Sequence, residues 1–108
     1  MFETLITALG ETGLPIAKYA WDVRPDHDNL LISYSSVAST IKADDKTIEQ
    51  APRGYIDLFS VTDNRDYAMQ IQQILDGLEG VAWRLNVVDY EDSTRLMHWQ
   101  WEFSCVAW

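Results

Sequence analysis

Hydrophobic residues along the chain follow two kinds of spacing, one typical of helices and one typical of strands. Near the start, the spacing i, i+3, i+4 and i+7 predicts a short helix whose apolar face is Phe2, Leu5, Ile6 and Leu9. We expect Gly10 and Gly13 to end this helix, because glycine readily takes the left-handed conformation at a helix end. Pro15 then prevents the helix from resuming.

A second helical pattern lies in the second half of the chain. Its apolar residues recur at i, i+4, i+7, i+8 and i+11, and they are Tyr67, Ile71, Ile74, Leu75 and Leu78. We expect Asp63 to cap this helix, with Asp66 three residues on in the manner of a capping box. Gly80 is a good end signal. The polar residues between the apolar positions, Gln72 among them, are expected to face water.

The remaining apolar segments have spacing typical of β-strands. Strands are predicted at 16–21, 30–34 and 55–61, and apolar residues on both sides of the last one indicate a central position in a sheet. Two strands that alternate with period 2 close the chain around a polar turn at 91–93, so they predict an antiparallel hairpin. The residues expected on its apolar face are Val81, Trp83, Leu85, Val87, Met97, Trp99, Trp101, Phe103 and Cys105.

Together these elements predict an α+β fold. We expect a mainly antiparallel sheet of four to five strands, with two helices packed on one face, because the apolar face of the hairpin needs a cover. The 108 residues are enough for a single domain, 1–108. A polar stretch at about 35–54 is expected to leave this sheet as a long hairpin or loop.

Composition excludes some classes of protein without identifying a function. The 17 acidic and 8 basic residues give a formal net charge of −9, so binding to nucleic acid or to an anionic membrane through net attraction is not expected. Hydrophobic residues make up 47% of the chain, which excludes disorder of the whole chain. The single cysteine cannot form an internal disulfide, and neither a signal peptide nor a membrane helix is predicted.

Residues that could carry chemistry are sparse. The densest set of possible metal ligands is Asp22, Asp26, His27 and Asp28. This set lacks the glycine and distal glutamate of a calcium loop, so a solvated turn is the favoured interpretation. The sequence contains no nucleophile motif that His98 could activate as a general base. An exposed or interface histidine is therefore the favoured interpretation. We therefore predict no catalytic residue, no metal, no cofactor and no enzymatic activity.

Four stretches of the chain stand in a characteristic order. The stretch at 5–16 is a helix followed by Thr12-Gly13-Leu14-Pro15-Ile16, and a strand at 30–34 comes next. A polar stretch then opens with Ala43-Asp44-Asp45 and returns through Tyr55-Ile56-Asp57-Leu58-Phe59. The last stretch is the helix to Gly80 with the hairpin that ends in Glu102-Phe103. In this order and spacing the chain resembles small phage and prophage tail proteins of the tail-completion, or tail-terminator, kind.

The resemblance implies a structural role. Such proteins form rings, often of six subunits, at the head-proximal end of the tail, where they stop tube polymerisation and meet the head connector. The implied partners are further copies of the chain, the phage tail tube and the head-connector proteins, while DNA passes without specific binding. The implied location is the host cytoplasm during assembly and then the virion tail. A neck or head–tail connector protein, and a bacterial protein-binding module unrelated to phage, remain alternatives.

The stretch at 35–54 is the candidate assembly surface. Apolar residues set among mixed charges are typical of a contact surface, and a ring needs a projecting element to meet its neighbour. The candidate interface residues are Val37, Ile41, Lys42, Asp44, Asp45, Ile48 and Trp108. We expect the stretch to be mobile in the monomer and to become ordered on assembly. The alternative is a flexible hairpin tip without a role.

Overall fold

The computed structural model describes residues 2–21, 27–35, 41–43, 46–48, 53–61, 65–93 and 95–105. In these residues helices and strands follow one another in an order typical of α+β proteins. The elements are α1 (Phe2–Leu9), a 3₁₀ turn (Gly10–Thr12), β1 (Ile16–Lys18), β2 (Asn29–Ser35), β3 (Ile41–Ala43), β4 (Lys46–Ile48), β5 (Arg53–Ser60), α2 (Asp66–Asp76), β6 (Val81–Glu91) and β7 (Leu96–Cys105).

The main sheet has five strands in the order β1-β2-β5-β7-β6. Strand β1 runs parallel to β2, and the other neighbouring pairs are antiparallel. The predicted α+β fold with a mostly antiparallel sheet is therefore confirmed. Strand β5 lies in the middle of the sheet, and β6 forms one of its edges. Strands β3 and β4 pair antiparallel in a second, two-stranded sheet.

The apolar face of the main sheet contributes side chains to the hydrophobic core. Across the central strands, Ile32 lies opposite Ile56, which lies opposite Trp101. Residues of both helices and of this face belong to one buried cluster: Leu5, Leu9, Leu30, Ile32, Ile56, Leu58, Ala68, Ile71, Leu75, Trp99, Trp101 and Phe103. The packing of both helices on one face stays a prediction, and this single cluster supports it.

The helix ends differ in how well the sequence predicts them. Helix α1 ends at Leu9, and Gly13 takes the expected left-handed conformation with φ of 78°. Helix α2 begins at Asp66 with Arg65 in the N-cap position. The predicted cap at Asp63 is therefore wrong, although Asp63 itself lies outside the described residues.

Gln72 is half-buried rather than fully exposed on the wet side of α2. Its Oε1 accepts a hydrogen bond of 3.2 Å from Nε1 of Trp101. The expectation that Gln72 faces water is wrong, because the buried indole N–H needs an acceptor that the apolar core does not supply. This bond ties α2 to the middle of β7.

A β-bulge in β6 changes which residues share a face. Leu85 lies opposite Trp101, whereas Val87 lies opposite Gln100, so Asn86 is an extra residue on this strand. Beyond the bulge, Val88 rather than Val87 lies opposite the buried Trp99. The prediction that Leu85 and Val87 share the apolar face is therefore wrong, since one extra residue moves the rest of a strand to the other face.

Candidate functional site

The predicted assembly residues fall partly within the described structure. Val37, Asp44, Asp45 and Trp108 lie outside the described residues. Ile41 and Lys42 belong to β3, Ile48 belongs to β4, and Ile41 is directly opposite Ile48 in the register of this pair. The structure thus brings three of the seven residues together on one pair of strands.

The acidic turn before β2 is only partly described, because Asp22 and Asp26 lie outside the described residues. Asp28 is held by the main sheet rather than by solvent alone. Its carboxylate accepts hydrogen bonds from Oγ of Ser60 at 3.2 Å and from the backbone N–H of Val61 at 2.8 Å. Asp28 therefore joins the start of β2 to the end of β5. Within the described ranges, no three His, Cys, Asp or Glu side chains are grouped to hold a metal ion.

The face of the sheet opposite the core carries a connected group around His98, which we call the His98 network. Its members are Asp57, Phe59, Asp89, Glu91, His98 and Gln100. Nε2 of His98 lies 2.6 Å from Oδ1 of Asp57, and Nε2 of Gln100 donates to the same oxygen at 3.0 Å. The Phe59 ring stacks on the imidazole with 4.6 Å between ring centres and 6° between planes. The register of β5 and β7 produces this arrangement, because Phe59 lies opposite His98 and Asp57 opposite Gln100.

The second imidazole nitrogen also faces carboxylates. Nδ1 of His98 lies 3.9 Å from Oδ1 of Asp89 and 3.8 Å from Oε2 of Glu91. The hydrogen bond to Asp57 raises the pKa of His98 above its usual 6.5; burial opposes this effect, and the negative charges of Asp57, Glu91 and Asp89 add to it. The network therefore favours an imidazolium with both nitrogens directed at carboxylates.

This geometry suits an ion-pair centre better than a catalytic base. A general base needs an unprotonated nitrogen within reach of the proton that it removes. In His98, one nitrogen is bonded to Asp57 and the other is turned towards two further acids. The expectation of an exposed histidine is wrong, because only 15% of the His98 side chain is exposed, whereas an interface position stays a prediction.

An arginine pair lies further along the same face. Nε and Nη2 of Arg84 donate to Oε2 of Glu102 at 3.1 and 2.8 Å, and Nη1 of Arg53 lies 3.9 Å from Oε1 of Glu102. These three residues line an open depression of about 340 Å³. Both arginines are exposed, so these ion pairs are screened by water and contribute little to stability.

The outer edge of the sheet is a feature that the sequence does not reveal. In the part of the chain that the structure describes, no strand pairs with the outer side of β6. Three apolar side chains of this strand are exposed: Leu85 by 40%, Val88 by 43% and Tyr90 by 53%. We call this strand with its exposed side chains the β6 edge. Period-2 spacing indicates that β6 is a strand, but not that it has a neighbour on one side only.

Two comparisons with known proteins give no match: the sequence fits no family model, and no similar curated protein is found. In the described part of the chain, no helix has the length and apolar character needed to cross a membrane. Within the structure, the observations that bear on function are therefore the fold and the chemistry of the surface.

Proposed function

We propose that this protein is a structural subunit of a phage or prophage tail. As the resemblance to tail-terminator proteins implies, copies of the chain assemble into a ring at the head-proximal end of the tail and join the tail tube to the head connector. The protein is then located in the host cytoplasm during assembly and in the virion tail afterwards.

One observation carries the proposal: β3 and β4, which lie within 35–54, pair in a sheet separate from the main sheet. Neither strand adds to the five-stranded sheet that contains the core. We infer that this separate two-stranded sheet contacts a neighbouring subunit, because a ring requires each copy to contact the next.

The chemistry of the described surface supports a structural role over a catalytic one. The His98 imidazole is enclosed by carboxylates on both nitrogens, so it is poorly suited to accept a proton from a substrate. The formal net charge of −9 per copy gives a ring an acidic character, which repels passing DNA rather than retaining it. No cofactor is part of the proposed function.

The proposal is tested by shortening the hairpin that contains β3 and β4. Residues 40–50 are replaced by an Asn-Gly turn, and the mass in solution is measured by light scattering beside the parent chain. The parent is expected to form rings that are visible by negative-stain electron microscopy. The shortened chain is expected to stay folded, as judged by circular dichroism, and to form no rings.

Met69→Ser is the matched control, because Met69 is exposed on α2 and far in sequence from the hairpin. This variant is expected to form rings as the parent does. A parent chain that forms no assembly larger than a dimer at high concentration contradicts the proposed ring. A shortened chain that still forms rings contradicts the role of the hairpin.

A further inference from the structure

Among the described residues, the β6 edge combines a strand that pairs on one side only, with β7, and apolar side chains that are exposed. Strand β6 has 11 residues, and at its start Nε1 of Trp83 donates to Oδ1 of Asp76, the last residue of α2, at 2.8 Å. Beyond that contact, Leu85 and Val88 lie on the same face as the core but are exposed. A long edge strand of this kind is a template for pairing with another strand.

The bulge gives the β6 edge a self-complementary pattern. Residues directly opposite each other in neighbouring strands must lie on the same face. In a regular strand, positions 85 and 88 lie on opposite faces, but the extra residue Asn86 places Leu85 and Val88 on the same face. Consider an antiparallel copy of β6 that is related by a two-fold axis beside Asn86 and Val87. In this arrangement residues on the core face of one strand lie opposite residues on the core face of the other.

This register also matches the chemistry of the side chains. Leu85 comes opposite the partner's Val88, and Trp83 comes opposite the partner's Tyr90. Arg84 comes opposite the partner's Asp89, and the two-fold axis repeats each of these pairs. Apolar, aromatic and opposite-charge pairs are the combinations that stabilise neighbouring strands.

We propose that β6 pairs antiparallel with β6 of a second copy of this chain, so that one sheet continues through both copies. The charge and face complementarity identifies the occupant of this edge as a second copy rather than an unrelated strand. Such an interface is isologous and closes at two copies. The pairing uses no residue of 35–54 and does not depend on the proposed ring.

Cysteine cross-linking tests the register. In a Cys105→Ser background, one sample carries Leu85→Cys and another, with a larger tag, carries Val88→Cys. Opposite residues in antiparallel strands have Cα atoms about 4.5–5.5 Å apart, within the range of about 4.4–6.8 Å that a disulfide spans. We expect a mixed disulfide dimer when both samples are combined under oxidising conditions, and none from either sample alone.

Met69→Cys combined with Leu85→Cys is the matched control, because both side chains are exposed but lie on different elements. The inference is overturned if the Leu85→Cys and Val88→Cys mixture cross-links no better than this control, or if either variant cross-links equally well with itself. If rings form but the cross-link does not, the proposed function stands and this inference is overturned.

A charge exchange tests the same register without cysteines. Arg84→Asp and Asp89→Arg each place like charges opposite each other, and we expect each to raise the dimer dissociation constant by roughly five- to tenfold. The double variant restores opposite charges and is expected to return close to the parent value. Sedimentation velocity measures each constant. A folded double variant that dimerises no better than Asp89→Arg contradicts the inference, as does a parent chain with no dimer.

Discussion

Replacement of Trp101 by alanine removes the largest fully buried side chain among the described residues. Trp101 is fully buried, lies opposite Ile56 in β5, and stacks on Trp99 with 6.1 Å between ring centres. Its Nε1 donates to Gln72, so the same side chain also joins the sheet to α2. The substitution therefore perturbs apolar packing, a ring contact and a hydrogen bond together.

The expected loss of stability follows from these contacts. Replacement of a buried tryptophan by alanine lowers the free energy of unfolding by about 3–5 kcal/mol, because the lost transfer energy is joined by the cost of a cavity. Domains of this kind have a total free energy of unfolding of roughly 5–15 kcal/mol. Trp101→Ala is therefore expected to remove a large share of the stability, and its melting temperature should fall by more than about 10 °C.

Urea unfolding followed by far-UV circular dichroism measures this loss. Met69→Ala is the matched control: Met69 is exposed on α2, so its free energy of unfolding should stay within about 0.5 kcal/mol of the parent. A Trp101→Ala chain that unfolds at the same urea concentration as the Met69→Ala chain would refute the assignment of this face to the core.

The hydrogen bond between Trp101 and Gln72 can be separated from the packing by a double-mutant cycle. Trp101→Phe keeps an aromatic ring but removes the donor, and Gln72→Leu removes the acceptor. The coupling energy of the two changes should be about 0.5–1.5 kcal/mol, the usual net contribution of one hydrogen bond. A coupling energy of zero would mean that the bond contributes nothing to stability.

Three further predictions concern pH, a glycine and metals. The folded-state pKa of His98 is raised above 6.5, so its stabilising contribution is complete below pH 6.5 and is lost as pH rises through the folded pKa. The difference in free energy of unfolding between the parent and His98→Gln should therefore shrink as pH rises, and a difference that grows would contradict the direction of the pKa shift. Gly54→Ala should destabilise the fold by about 1–3 kcal/mol, because a Cβ there meets the carbonyl oxygen of Ser33 and the ring of Phe103. Gly77→Ala is its control, with only ordinary contacts around the added carbon, and equal melting temperatures for the two variants would count against a steric need for Gly54. EDTA, calcium and magnesium should each leave the melting temperature unchanged, and a rise of several degrees with either cation would point to a site for it in the folded protein.

Local spacing in the sequence was enough to predict both helices, the five strands of the main sheet and most of the core. The period of α1 and its end at Leu9, directly before Gly10, match the prediction, as does the buried face of β7 with Trp99, Trp101 and Phe103. These features depend on contacts between residues close in sequence, or on which side of one element is apolar, so periodicity determines them.

The tertiary structure alone decided the features that join distant segments. Asp57 in β5 and His98 in β7 are 41 residues apart, so the spacing of either strand could not reveal their contact. The bulge at Asn86 exists only in the register of β6 against β7, and that register exposes Leu85 and Val88 on one edge. A single strand pattern specifies two faces, but not which strand lies beside it or whether an edge stays unpaired. The neighbour of each strand and the unpaired edge depend on the free energy of the whole fold. Strand pairing, burial of apolar side chains and satisfaction of buried polar groups all contribute to that free energy.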